Sequence, residues 1–129
     1  VLVVPAVKDS KGLRLLSFRY AFRGVRYMVR REPNMRFHLV AATGVLLAAA
    51  ALRLPLTEWS ALVFAITLVL LGETLNTAIE AVLDIVQPEH HDRVGVVKDL
   101  AAGAVLVASA GSVVIAGIVF VPRVWDLLT

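Results

Sequence analysis

Two hydrophobic patterns follow one another along this chain. Between residues 15 and 30, Leu15, Phe18, Phe22, Val25 and Val29 recur at spacings of 3, 4, 3 and 4, and Arg19, Arg23, Arg26 and Arg30 follow one residue further round. One apolar and one basic stripe at helical spacing predict an amphipathic helix lying in a membrane interface. From Phe37 onward the periodicity gives way to long apolar runs with few polar interruptions, which predict spanning helices.

The elements follow from these runs and their breakers. Residues 1–14 form an N-terminal arm, because Pro5 argues against an early helix. The surface helix covers about 12–31, and Pro33 predicts a turn over 31–36. The first span covers about 37–56, reaching sufficient length only if Arg53 snorkels to the interface. Arg53–Glu58 is a short connection in which Thr57 or Glu58 caps the next helix. The second span covers about 59–86, long enough at about 42 Å for its last turns to reach the headgroup zone. Gln87–Val97 is a polar connection, Lys98-Asp99 opens the third span (about 99–121), and residues 123–129 are a tail. The third span is rich in small residues such as Gly103, Ala108, Gly111 and Gly117, which suit close helix contact in lipid.

Composition agrees with lipid as the solvent: 59% of residues are hydrophobic and the mean hydropathy is +0.82, above the ~45–50% apolar content of soluble domains. With no cysteine, disulfides and thiolate metal sites are excluded. The net charge of +3 fits anionic headgroups or phosphate ligands better than nucleic acid in so apolar a chain. No cleavable signal peptide is expected, since the apolar opening is short and ends in Lys8-Asp9. Eleven of the 13 Lys and Arg residues lie before the first span or around the second connection, and two lie on the other side. The positive-inside rule therefore puts the N-terminus and the second connection in the cytoplasm.

The chemistry concentrates at the end of the second span. At about 100° per residue, Glu73, Asn76, Thr77, Glu80 and Asp84 fall at about 0°, −60°, +40°, −20° and +20°, one stripe of a helix otherwise apolar. Carboxylates at membrane depth face a bundle interior and mark function. Carboxylates beside an amide suit a hard cation such as Mg²⁺, and Lys98 suits phosphate. A further carboxylate can serve as base toward a hydroxyl. These are the parts of a phosphoryl-transfer site, although no nucleotide-binding glycine loop of a soluble kinase is present. Each residue also has a plainer reading. Glu32 reads as a solvated loop carboxylate, Asp99 as a helix cap, His90-His91 as a solvated loop, and the arginine stripe as a lipid anchor rather than a set of phosphate contacts.

Glu73-x-x-Asn76-Thr77-Ala78-Ile79-Glu80-Ala81-Val82-x-Asp84, followed by Lys98-Asp99-x-Ala101-Ala102-Gly103-Ala104-Val105, resembles the small prokaryotic lipid kinases, the bacterial diacylglycerol kinases and undecaprenol kinases. Ser17-Phe18-x-x-Ala21-Phe22-x-Gly24 and Glu32-x-x-x-Arg36 match as well, so the resemblance runs from about Leu15 to Phe120. It implies an all-α membrane protein with a surface helix and three spans over residues 15–122, assembled as a homotrimer with shared active sites. It implies a bacterial cytoplasmic (inner) membrane location and transfer of the γ-phosphate of ATP to a lipid hydroxyl, serving lipid recycling for envelope synthesis. By the same resemblance Glu73 is the general base, and Glu32 and Glu80 hold Mg²⁺ with Asn76 in support. Lys98 binds phosphate, and Asp84 and Asp99 lie in the nucleotide region. Arg19, Arg23 and Arg26 are candidate nucleotide or lipid contacts. Val97 stands where the family often has alanine. The motif wording slightly favours undecaprenol over diacylglycerol as acceptor. The competing classes are a small ion-coupled transporter using Glu73 and Glu80, and a passive subunit whose polar stripe only holds helices together.

Overall fold

The computed structural model describes residues 10–89 and 91–129, and side chains from residue 17 onward. Most of the expected arm, residues 1–9, and His90 of the expected histidine loop lie outside the described residues. Four helices account for nearly all of the rest: α1 (Ser10–Arg31), α2 (Pro33–Ala51), α3 (Leu56–Val86) and α4 (Asp92–Leu128). No strand occurs among the described residues. The last three helices are each long and apolar enough to cross a membrane, so this is a membrane protein with three candidate spans.

The chain divides into a unit of residues Val1–Pro33 and a unit of residues Asn34–Thr129. In the first, α1 is helical throughout, as its periodicity predicts. Phe18, Phe22 and Val25 of its apolar stripe are exposed, the state of a face meant for lipid rather than for a protein core. Arg23 lies over the Tyr20 ring at 5.5 Å from its centroid.

The break between α1 and α2 is shorter than the expected turn over 31–36. Only Glu32 is non-helical, and its N–H still donates to the Met28 carbonyl at 2.9 Å. Pro33 then occupies the first position of α2, where its missing N–H costs no intrahelical bond.

In the second unit, α2 ends at Ala51, five residues before the expected limit. Length is gained at its start instead, so Arg53 lies beyond the helix. Arg53 adopts φ 50°. Its N–H donates to the Ala50 carbonyl at 3.1 Å, and the Leu54 N–H donates to the Ala49 carbonyl at 3.1 Å. This is the Schellman closure of a helix C-terminus, with Arg53 in the left-handed position where glycine is usual. Its hydrophobic partner contact is also present, because Leu54 and Ala49 share a buried cluster with Leu62 and Val119. Trp59, Ile115 and Phe120 pack around that cluster.

The N-cap of α3 is Pro55, with no side-chain cap bond. Thr57 and Glu58 therefore stand inside the first turn, and neither is the cap expected of it. Glu58 instead accepts a hydrogen bond from Arg123 Nη2 at 2.8 Å, tying the start of α3 to the end of α4. The α4 helix begins at Asp92, well before the expected opening at Lys98-Asp99. Its cap is His91, whose Nδ1 accepts from the Arg93 N–H at 3.2 Å. Asp99 is thus two turns inside the helix and His91 is a capping residue, a role that side-chain acceptors at this position perform. Pro122 lies within α4 rather than at its end.

α3 and α4 pack closely along their length. Ser112 Oγ has two carbonyls within reach of its single hydrogen, that of Ala65 on α3, at 3.1 Å, and that of Ala108 of its own helix, at 2.9 Å. Ala101 and Val105 are buried on the same face. A Cβ placed on Gly72 would meet Val105 at 3.7 Å, ordinary contact. The α4 glycines Gly103, Gly111 and Gly117 face open space instead, so the close contact within the chain rests on Ala101, Val105 and Ser112.

Candidate active site

The polar stripe of α3 forms as the 3.6-residue period requires, and its burial falls steadily along the helix. Glu73 is 4% exposed and Asn76 9%. Thr77 and Glu80 are half-buried, and the Asp84 side chain is 66% exposed. A rise of about 1.5 Å per residue makes this gradient about 16 Å long. One end is a dry carboxylate inside the bundle and the other a wet one at its rim.

At the dry end, Glu73 Oε1 lies 3.2 Å from His38 Nε2 on α2. His38 is the residue that sequence reasoning missed. It belongs to no motif, sits on a different helix, and reaches Glu73 only through the packing of α2 on α3. A buried carboxylate without a partner is costly, so this contact is the main compensation Glu73 receives within the described chain. Beneath it opens an apolar cleft of ≈ 300 Å³ between α2, α3 and α4, with Phe37, Ala41, Ile66, Leu70 and Val113 among its walls.

One turn on, Asn76 Nδ2 donates to Glu80 Oε1 at 2.9 Å. A carboxylate can only accept, so the amide nitrogen must face Glu80 and the carbonyl oxygen must face away. That oxygen, Asn76 Oδ1, is buried and has no hydrogen-bond partner among the described residues. An orphaned buried oxygen beside a carboxylate is a donor set that suits a hard cation.

At the wet end, Lys98 Nζ on α4 donates to Asp84 Oδ1 at 2.6 Å. The second unit therefore brings Glu73, Asn76, Glu80, Asp84 and Lys98 into one continuous run. Asp99 follows Lys98 on α4 and is exposed, with no bond to the others. Glu32 and the arginines Arg19, Arg23 and Arg26 belong to the first unit, where all four are exposed or half-buried. Among the described residues, no three His, Asp or Glu side chains are grouped closely enough to hold a metal ion.

Three candidate spanning helices, and a carboxylate–amide–lysine run along α3 and the start of α4, define an integral-membrane helical protein with a polar run leading into its interior. The profile of the family described as prokaryotic diacylglycerol kinase matches residues 19–120. A diacylglycerol kinase of Synechocystis sp. is 37% identical over 140 aligned positions, covering 98% of this chain and 80% of the relative. An undecaprenol kinase of Bacillus subtilis is 37% identical over 107, covering 83% and 87%. A diacylglycerol kinase of Escherichia coli is 34% identical over 89, covering 69% and 73%. The chain belongs to the prokaryotic diacylglycerol kinase family.

Proposed function

We infer that this protein is an ATP-dependent lipid kinase of the bacterial cytoplasmic membrane, transferring the γ-phosphate of ATP to the hydroxyl of a membrane lipid. Family membership favours this over ion-coupled transport and over a passive helix-packing role. The observation that carries the assignment of roles is the gradient on α3, with Glu73 buried beside His38, which lines an apolar cleft, and Lys98 with Asp84 at the open end. The acceptor presents a hydroxyl on an apolar tail and comes from the lipid side. The nucleotide is water-soluble and comes from the rim.

Glu73 takes the proton of the acceptor hydroxyl. The acceptor oxygen then bonds to the γ-phosphorus as the bond from that phosphorus to the β–γ bridging oxygen breaks, and ADP leaves. Lys98 holds phosphate oxygens by exchanging its bond to Asp84 for bonds to the nucleotide. Glu80 and Glu32, with Asn76 Oδ1 in support, would hold Mg²⁺, which supplies charge neutralisation on the phosphates when bound. Asp84 and Asp99 border the nucleotide, and Arg19, Arg23 and Arg26 contact nucleotide or lipid headgroup. The charge count puts the N-terminus and the connection before α4 on the cytoplasmic side, where ATP is found. The working assembly is a homotrimer with active sites shared between neighbours. The separate unit carrying Glu32 and the exposed apolar faces of the spans both suit that arrangement.

The relatives named for the two acceptors are equally similar, at 37%, so the acceptor is a matter for experiment. We place undecaprenol first on the wording Asn76-Thr77-Ala78-Ile79-Glu80 and Ala101-Ala102-Gly103-Ala104-Val105. The test is transfer of labelled γ-phosphate in detergent micelles, with undecaprenol and diacylglycerol offered separately and Glu73→Gln run beside the wild type. Label in one lipid, lost by about 10³-fold in the variant, is the expected result for a base acting on the hydroxyl. No label in either lipid from folded protein would refute the kinase reading.

A further inference from the structure

Glu73 has two carboxylate oxygens, and His38 makes them unequal. Oε1 lies 3.2 Å from His38 Nε2, while Oε2 has no partner among the described residues. The terminal torsion of a glutamate is broad, so an unheld carboxylate sweeps a wide arc. A ring at 3.2 Å narrows that arc. The ring is itself confined. It stands in a T-shaped contact with Phe37, centroids 5.5 Å apart at 74°, and lines the apolar cleft opposite Ile66 and Leu70. A hydrogen bond from this ring to a carboxylate requires the hydrogen on Nε2. Among the described residues, His38 Nε2 is the nitrogen at ion-pair distance from a carboxylate that is 4% exposed.

We propose that His38 is the positioning residue of the reaction: its Nε2–H fixes Glu73 Oε1, so that Oε2 is the oxygen presented to the acceptor hydroxyl. This deepens the assignment of Glu73 as base and rests on it. The proton balance is simple. The hydroxyl proton passes to Oε2 as the new oxygen–phosphorus bond forms and the bridging bond breaks. His38 neither gains nor loses a proton, and Glu73 releases its own after product departs. The chemistry asks only that Nε2–H keep its bond to Oε1 throughout. A catalytic base held within about 0.5 Å by a donor on a rigid element is how productive geometry is kept.

The alternative is that His38 merely braces α2 against α3, and side chains of similar size separate the two. Gln places an amide N–H at comparable reach, whereas Met fills the space and donates nothing. For His38→Met, kcat falls about 30-fold or more, with KM for Mg-ATP and for lipid within about threefold, as misplacement of a reacting group predicts. His38→Gln keeps at least about a third of wild-type kcat. Both variants share a thermal midpoint in detergent. In a Glu73→Gln background, His38→Met costs nothing further, because residues acting as one unit are not additive. Equal kcat in the Gln and Met variants overturns the proposal, as does a Met variant within threefold of wild type. If His38→Met does not fold, His38→Gln decides alone: kcat above a tenth of wild type supports the proposal and below a tenth overturns it. A Glu73→Gln enzyme with wild-type kcat would bring down the base assignment itself. An inactive Glu73→Gln beside a normal His38→Met would remove only the role of His38.

Discussion

The two ends of α3 each carry a carboxylate that reaches toward α4, and they are finished in opposite ways. At the first turn, Glu58 pairs with Arg123 at 2.8 Å beside the packed cluster of Ala49, Leu54, Leu62 and Val119. At the other end the stripe from Glu73 to Asp84 has an imidazole, an amide and a lysine for partners, and among the described residues no apolar cluster closes over it. Apolar packing is concentrated at the first end, and the polar stripe at the other, although each end keeps one buried oxygen without a partner among the described residues, Glu58 Oε2 and Asn76 Oδ1. A membrane protein gains little from apolar burial against lipid, so interhelical fit and polar pairing must carry cohesion. Under the proposed function, the open end is the one that would exchange partners with a nucleotide.

The largest test of that contrast is Glu80→Gln. Removing one carboxylate from the Asn76–Glu80 pair takes away charge for the cation while an amide of equal size remains. Activity at fixed Mg²⁺ should drop by about 10²-fold or more, and the Mg²⁺ concentration for half-maximal rate should rise. A variant with normal activity and normal Mg²⁺ dependence would detach Glu80 from the metal. Lys98→Met comes next. It should raise KM for ATP about tenfold with a smaller loss in kcat, the pattern of lost phosphate binding. An unchanged KM for ATP would show that the contact to Asp84 is the whole of its role.

Much of this arrangement is legible in the amino-acid sequence itself. The stripe on α3 follows from spacing alone, because five polar residues at 3- and 4-residue intervals must share a face wherever the helix continues unbroken. The motif wording resembling a family points to the same residues. What is not legible depends on pairing between distant segments. His38 meets Glu73 through interhelical register, which no local pattern encodes. Glu58 reads as a cap because acidic residues favour first turns, yet Arg123, 65 positions away, determines its actual role. The start of α4 is hidden because Asp92-Arg93 and Gly95 continue the polar run from Gln87 and resemble a loop. A His91 cap and the stabilisation that follows from it start the helix regardless.

The opposite end should respond in stability and not in rate. Glu58→Gln, Arg123→Met and the double variant form a cycle whose coupling energy should be about 1 kcal/mol, since both side chains are partly exposed and exposed pairs couple weakly. Activity should stay within twofold throughout. Equal losses of activity and stability at both ends of α3 would dissolve the contrast between them.

The smallest expected effect lies in the turn that closes the same end. Arg53 is held at φ 50°, where a side chain with a Cβ costs about 1–2 kcal/mol relative to glycine. The Schellman bonds from the Arg53 and Leu54 N–H groups require that conformation, whatever residue occupies it. Arg53→Gly should therefore stabilise the protein, but by less than the local strain. Glycine also widens the unfolded ensemble by about 0.5–1 kcal/mol. The net gain should be about 0.5–1 kcal/mol, read as a rise in thermal midpoint in detergent. Arg53→Ala is the necessary companion, because it removes the same charge and keeps the Cβ. A rise for Gly with none for Ala assigns the effect to the left-handed backbone. Equal behaviour of the two would mean that the charge at the membrane edge, rather than the strain, governs this turn.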